Sequence, residues 1–555
     1  MTKERIIISL LTLFGISTAY AQLDNVVEVE NTYKPEVKDA GKINVVPPVK
    51  ETKVNHYSVN YDATQLPTTD YQFQPMNAAL SDLADKGAPR GFATLGGGMY
   101  GLLNLRGAYG LRLGQSDELN IDLSLRGHNG TVDNTSAAMD DWKSRFYTTR
   151  AALDYEHRFS NNSALLLNGS FESQVFNYQP RIYLGVNPYA FNSDKQHNTL
   201  VDFSAALTPW QFDKFSLGGE VGYSLFSQGR LPIFSDLSKA VRESSLWVKA
   251  ASAFTLSESS TIGLNLGWQT LMYNVDEYKS LSDVEINPYY EWDSNKFFAR
   301  LGVRMIYDSG VESKFYITPD VRLRYHATEA LDLFASAEGN CVANNLRHFN
   351  QMTPYFGLDG LVQVQNQIDA LHAAAGVDWK ISRGLYTTIS GGYVISKNRA
   401  EIDPYRTIMA ADGNQLYVKA GLNYSNGSKF NAKLNVQLNN WTTKAGDNIE
   451  DNVLAWRPWG ELRGEATYEL LPGLRAGLDY MLQGFNKDEN LTYERPNTNN
   501  LGASVTYTIA MPRISKGSNL SFFVRGDNLF GADFDSYMMY QSLRTSVMGG
   551  VALTF

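Results

Sequence analysis

SLRTSVMGGVALTF, residues Ser542 to Phe555, is the stretch whose reading decides the fold. One alternate set is Leu543, Thr545, Val547, Gly549, Val551, Leu553 and Phe555; the other is Arg544, Ser546, Met548, Gly550, Ala552 and Thr554. A period of two with one apolar and one polar face marks a β-strand. The polar set begins with an arginine, so that face borders neither lipid nor a dry core. The sequence stops on an aromatic residue directly after the strand.

Working back along the chain, the same pattern recurs. Leu119, Ile121, Leu123 and Leu125 alternate with Asn120, Asp122, Ser124 and Arg126. Ile262, Leu264, Leu266 and Trp268 share a face opposite Asn265 and Gln269. Phe430, Ala432, Leu434, Val436 and Leu438 alternate with Asn431, Lys433, Asn435, Gln437 and Asn439, and 474–483 repeats the arrangement. A soluble sandwich would give the same alternation. Two features favour a membrane barrel instead. No helical segments interrupt the pattern to cover a sheet, and the segments run to about 9–14 residues, the length of a tilted membrane strand. Tight turns at Gly114–Glu118, Ser160–Ser163, Gln211–Lys214, Glu258–Ser260, Asp293–Lys296, Thr328–Ala330, Ser382–Gly384, Asn426–Ser428 and Leu471–Gly473 alternate with longer loops at 130–144, 177–197, 230–242, 345–370, 399–413, 443–456 and 487–497. Short turns on one side and long loops on the other are the asymmetry of an outer-membrane barrel. The expected fold is all-β, a transmembrane antiparallel barrel of about 22 strands over residues 91–555, the even count such barrels require. The least certain divisions are Gly91–Leu113, readable as one long strand, and Glu285–Tyr307.

Composition agrees. The 555 residues include 45 Gly, 32 Tyr, 27 Phe and one cysteine, Cys341, so an internal disulfide is excluded. A formal charge of -9 argues against nucleic acid as a partner. Residues 1–21 read as a signal peptide: Lys3 and Arg5, an apolar run from Ile6 to Ile16, then Ala19-Tyr20-Ala21 as a small-x-small cleavage site. That run is too short for a helix spanning about 30 Å of hydrocarbon. Residues 22–90 read as a periplasmic arm or lumen insert, with Pro47 and Pro48 in an extended stretch and one short helix near Met76–Lys86; a disordered leader is the alternative for 31–70.

The end of the chain, with Val551, Leu553 and Phe555, resembles the C-terminal insertion signal of bacterial outer-membrane barrels. LSFFVRGDNLFG, with Asn528-Leu529-Phe530, resembles the penultimate strand of TonB-dependent receptors, and residues 457–484 resemble a hairpin of that family with its turn at Leu471-Pro472-Gly473. The resemblance implies an outer-membrane location, insertion by the barrel-assembly machinery, contact with outer-membrane lipid, and a part in transport or ligand uptake. It departs where the family carries a globular plug domain: only residues 22–90 precede the barrel, without the plug's Gly- and Arg-containing signatures. Asn25–Glu30, NVVEVE, is a degenerate match to a TonB-contacting box.

The seven histidines show no ligand spacing on one strand face and no cluster with the cysteine, so neither a metal nor a cofactor is expected, and no catalytic residues are assigned. His326 shares parity with Asp320, Arg322 and Arg324, which reads best as a solvated wall. The lumen-facing polar wall is assigned to Arg126, Asp320, Arg322, Arg324, Asp332, Glu338, Lys433, Arg475 and Asp479, a mixed-sign surface that either cross-braces the barrel or orients the field of a pore. Tyr178, Tyr183 and Tyr189 in the 177–197 loop are candidate ligand contacts. Three roles compete: a passive or ligand-selective porin-like channel, a non-transporting subunit docked on an outer-membrane partner protein, and a receptor that borrows TonB or a plug from elsewhere.

Overall fold

The structure is a computed structural model that describes residues 90–132, 141–161, 163–178, 195–229, 241–275, 278–356, 363–402, 408–427, 429–444, 456–487, 494–512, 517–537 and 540–555. The expected signal peptide, the 22–90 segment up to residue 89 and its helix near 76–86 lie outside the described residues.

Twenty-two strands make one sheet. They are β1 (Gly91–Gly98), β2 (Leu103–Arg112), β3 (Asp117–Val132), β4 (Trp142–Arg158), β5 (Ala164–Phe176), β6 (Gln196–Phe212), β7 (Phe215–Gln228), β8 (Val241–Ser257), β9 (Ser260–Tyr273), β10 (Leu281–Asp293) and β11 (Phe297–Ser309). The second half comprises β12 (Lys314–Thr328), β13 (Leu331–Val342), β14 (Gln367–Ser382), β15 (Leu385–Ile402), β16 (Ile408–Asn426), β17 (Phe430–Lys444), β18 (Gly460–Leu471), β19 (Leu474–Gly484), β20 (Thr498–Ala510), β21 (Asn519–Asp527) and β22 (Ser546–Thr554). Each pairs antiparallel with its neighbours in sequence, and the ring closes where β1 pairs β22, from Phe92↔Thr554 to Gly98↔Met548. Phe555 and Gly91 then exchange both backbone hydrogen bonds at 2.9 Å. The structure is therefore a closed 22-stranded antiparallel barrel, as the strand pattern predicts. The expected tight turns all fall at one end of it.

The two doubtful divisions resolve into hairpins. Gly91–Leu113 is two strands joined by a 3-10 turn at Met99–Gly101, where Tyr100 and Gly101 take φ of 54° and 61°. Within 285–307, β10 and β11 are separated by the turn at 294–296. The 399–413 segment departs from its reading as a loop: residues 399–402 and 408–413 are strand, extending the β15–β16 hairpin. Their polar residues are held in an internal ion cluster, where Glu401 accepts from Arg399 at 2.5 Å and from Arg457 at 2.6 Å.

Alternation sets the two faces. Leu301, Val303, Phe315, Ile317, Tyr325 and Leu333 stand exposed on the outside of β11–β13, while Arg300, Asp320, Arg322 and Glu338 take the opposite, inward parity. On β22, Val547 and Val551 point out, and Ser546 and Met548 are buried inside.

Candidate functional site

The long β13–β14 connection does not stay outside the barrel. It folds inward, carrying the short helix α1 (Leu346–Met352), whose N-terminal turn is fixed by Asn345: its side chain accepts from the backbone N–H of His348 at 2.7 Å. From there the segment spans the lumen. The backbone N–H of Leu346 donates to Glu243 of β8 at 2.7 Å, Arg347 pairs with Asp202 of β6 at 2.9 Å, and Asn198 of β6 donates to Asn350 at 2.7 Å. Its return limb is held by Asp308, which accepts from Gln365 and Asn366, and by Asn344, which donates to Asn398 O and Gln365 O.

Two apolar clusters complete this closure at the long-loop end. Leu346, Phe349 and Phe356 pack with Phe226, Val241 and Trp456. Tyr355 packs with Phe176, Tyr178 and Trp142, and its ring lies 3.6 Å from that of Tyr540 with the planes 7° apart. Burial raises the Tyr355 phenol well above its ordinary value, and burial together with the nearby Arg457 pushes the His348 imidazole down to about 4.

Beneath this roof lies a chamber of about 400 Å³, walled by β2–β7 on one side and β20–β22 on the other. Three arginines (Arg126, Arg150, Arg347) and three acids (Glu172, Asp202, Asp527) line it among amides, hydroxyls and aromatic rings. His128 contacts Ser144 Oγ at 2.8 Å at its wall and stacks on Phe146.

The residues assigned to a polar wall fall into separate groups. Arg126 lines the chamber. The others lie farther round the barrel. Asp320, with almost no exposure, accepts from Arg300 at 2.9 Å. Arg322 pairs with Glu338 at 2.7 Å, and Arg324 lies between Asp332 at 3.7 Å and Asp378 at 3.5 Å. Asp479 pairs with Arg525 at 3.1 Å, Lys433 stands in register with Glu465, and Arg475 with Glu469. Opposite charges thus face one another on adjacent strands or across one intervening strand. His326 contacts Asp332 at 2.7 Å near the short-turn end. Tyr178 is buried against Phe176 and Tyr355, whereas Tyr183 and Tyr189 lie outside the described residues. Of the insertion-signal residues, Val551 faces outward, Leu553 sits in register between Ala93 and Leu520, and the Phe555 ring stacks on Tyr109 at 5.8 Å. Among the described residues no group of three or more His, Cys, Asp or Glu side chains is placed to hold a metal ion.

Glu243, Asp202, Asn198 and Arg347 are site residues that sequence reading does not single out. Parity alone places the first three inside the barrel; their meeting with α1 spans more than a hundred residues of chain and leaves no local signal.

No protein-family profile matches the chain, and no curated protein matches it. Solved structures do. The ferric-catecholate import receptor Fiu from Escherichia coli K12 is similar at 12% identity with a TM-score of 0.62, over 84% of this chain and 82% of that one. The FrpB iron transporter from Neisseria meningitidis is similar at 12% identity, TM-score 0.64, over 84% and 81%. A mutant of the ferric enterobactin receptor PfeA from Pseudomonas aeruginosa is similar at 13% identity, TM-score 0.60, over 84% and 80%. At such identities the likeness establishes a common fold.

Proposed function

We propose that this protein is an outer-membrane uptake barrel, with its long-loop end outside the cell and its short turns and C-terminus in the periplasm. The observation that carries the reading is the inward β13–β14 segment, anchored on Glu243, Asp202 and Asn198 above a polar chamber. A wall serving only as scaffold needs no such roof, whereas a solute route needs a selective constriction. The exposed apolar belt matches lipid, and the similarity to import receptors and an iron transporter, together with the receptor-like sequence of 520–555, supports transport over a purely structural role. In this reading the barrel-assembly machinery inserts the chain, and the 22–90 segment either occupies the lumen or contacts TonB; loss of uptake on deleting residues 23–30 would support the second.

The test is single-channel conductance in a planar bilayer, for the full-length protein, for protein lacking residues 22–90, and for a Glu243→Ala/Phe349→Asp variant that unseats α1. Small current from the full-length protein and a clear step in the variant are expected. Silence from all three overturns the transport reading in favour of a non-transporting subunit.

A further inference from the structure

The outside of the barrel is not uniform. On β4–β8 the outward residues change character toward the long-loop end. Nearer the short turns, Leu153, Phe171, Phe203, Val221 and Val248 are apolar and exposed. A hydroxyl row follows: Thr149 stands in register with Ser173, then come Thr199 and Ser227, and the row ends on Arg242. Farther out are Lys143, Arg145 and Lys195. Lys143, Lys195 and Arg242 are exposed and Arg145 is half-buried. Among the described residues none of these four side chains makes an ion pair or a hydrogen bond. The inward arginines behave differently, since Arg300, Arg322, Arg347, Arg457 and Arg525 are all held by carboxylates. Asp141, close before Lys143 in sequence, is the one acid beside the four cations among the described residues.

The strand ends that carry these cations are fixed in place. The backbone N–H of Arg145 donates to Asn177 Oδ1 at 2.8 Å, and that of Arg242 to Asn274 Oδ1 at 2.7 Å. From inside the barrel, Glu243, next to Arg242, holds the backbone N–H of Leu346. The set is also local. Among the described residues the outward faces of β18–β22 carry no charged side chain. Cations that merely snorkel out of hydrocarbon would ring the whole barrel, whereas these occupy one sector. Arg145 on β4 and Arg242 on β8 are four strand spacings apart, about 19 Å. Cations spread over that width, directly above an apolar belt, complement a molecule that lays acyl chains on the belt and sets several anionic oxygens above it. Phosphate is the group that arginine and lysine bind best in this way.

We propose that the outer face of β4–β8 binds a phosphorylated lipid of the outer leaflet, its acyl chains along Phe171 and Phe203 and its phosphates on Lys143, Arg145, Lys195 and Arg242. This uses the orientation given above, with the long loops outside the cell, and not the transport role. The test is native mass spectrometry of the full-length protein released from a neutral detergent. It is titrated with diphosphoryl lipid A, monophosphoryl lipid A and phosphatidylcholine. Tightest retention of the diphosphoryl lipid is expected. Lys143→Gln/Arg145→Gln/Arg242→Gln should weaken it about fivefold per cation removed. Lys214→Gln/Lys296→Gln/Lys429→Gln, the same change of charge at the short turns, should leave it unaltered. Unchanged heat-modifiable gel mobility shows that both variants are folded. Equal retention of the three lipids, no loss in the first variant, or equal loss in both overturns the assignment. So does release of the lipid by inorganic phosphate at the lipid's own concentration, which would make the patch a site for free anions. Conductance on the same preparations separates the two claims. A barrel that binds the lipid and never conducts loses the uptake role alone; one that conducts and binds no lipid loses only this site.

Discussion

Asp320 and Arg322 are two positions apart on one strand face and differ sharply in what they support. The Asp320 carboxylate is buried and is held by Arg300, which also reaches Glu291 and lies 3.6 Å from the centre of the Tyr289 ring. Removing Asp320 strips the guanidinium of its most buried partner but leaves it Glu291 and Asn287, so the loss falls below the ~3–5 kcal/mol of a buried charge left with no partner. Arg322 pairs with Glu338 at the solvated lumen surface, where an ion pair is worth about 1 kcal/mol or less. Asp320→Ala is accordingly expected to lower the temperature at which the folded band converts on semi-native gels, and Arg322→Ala to leave it nearly unchanged. Equal shifts for the two would contradict this account of the wall.

At the scale of the element, α1 is a seven-residue helix that would not persist alone, since isolated helices shorter than about 12 residues are marginal in water. Its order comes from its seat, and that seat includes His348, whose imidazole is held neutral by burial and by Arg457. Unseating returns the group toward its ordinary value of 6.5, so the released segment takes up a proton between pH 6.5 and about 4 that the seated one refuses. Acidification through that window favours release, with no change expected above pH 7. The labelling rate of a cysteine placed at Asn350, in a Cys341→Ser background, divided by that of a free thiol at the same pH to remove the loss of thiolate, should rise as pH falls through the window; a ratio independent of pH would remove His348 as the cause. With a second cysteine at Asn198, whose side chain now shares a 2.7 Å hydrogen bond with that of Asn350, a short bis-maleimide should bridge the two positions and, on the uptake reading, hold any current at its full-length level. Little of this was legible in the sequence. The strands were, because every outward position must be apolar and every short turn needs its own residue types, as at Leu471-Pro472-Gly473. The inward segment was not: Leu346 to Met352 is too short to display a helical period, and Glu243 or Asn198 reads the same whether it meets water or a helix.

At the scale of the whole molecule, closure passes through a run of glycines, Gly96–Gly98 of β1 against Gly549 and Gly550 of β22. Gly96 pairs with Gly550 and Gly97 with Gly549. A Cβ at Gly550 would lie 2.3 Å from the carbonyl oxygen of Leu95 and 2.5 Å from the Phe523 ring, whereas at Gly549 its nearest neighbour is 3.6 Å away. Gly550→Val should therefore cut the yield of heat-modifiable barrel in outer membranes severalfold, and Gly549→Ala should leave it close to normal. A folded Gly550→Val barrel in normal yield would mean that the seam is looser than its geometry implies. The position of that seam also fixes an order of events. The strand that shuts the ring is β22, and its second partner is β1, so all the other strands are made before the two can meet. Until then any partial sheet has two open edges, each a row of unpaired amides and carbonyls in search of another strand. Such a chain runs a long interval of vulnerability between synthesis and completion, the more so because pairing across so great a separation is slow. Its survival is a matter of timing: escort across the periplasm and the rate of final joining decide how much protein reaches the membrane, before the stability of the finished barrel has any bearing.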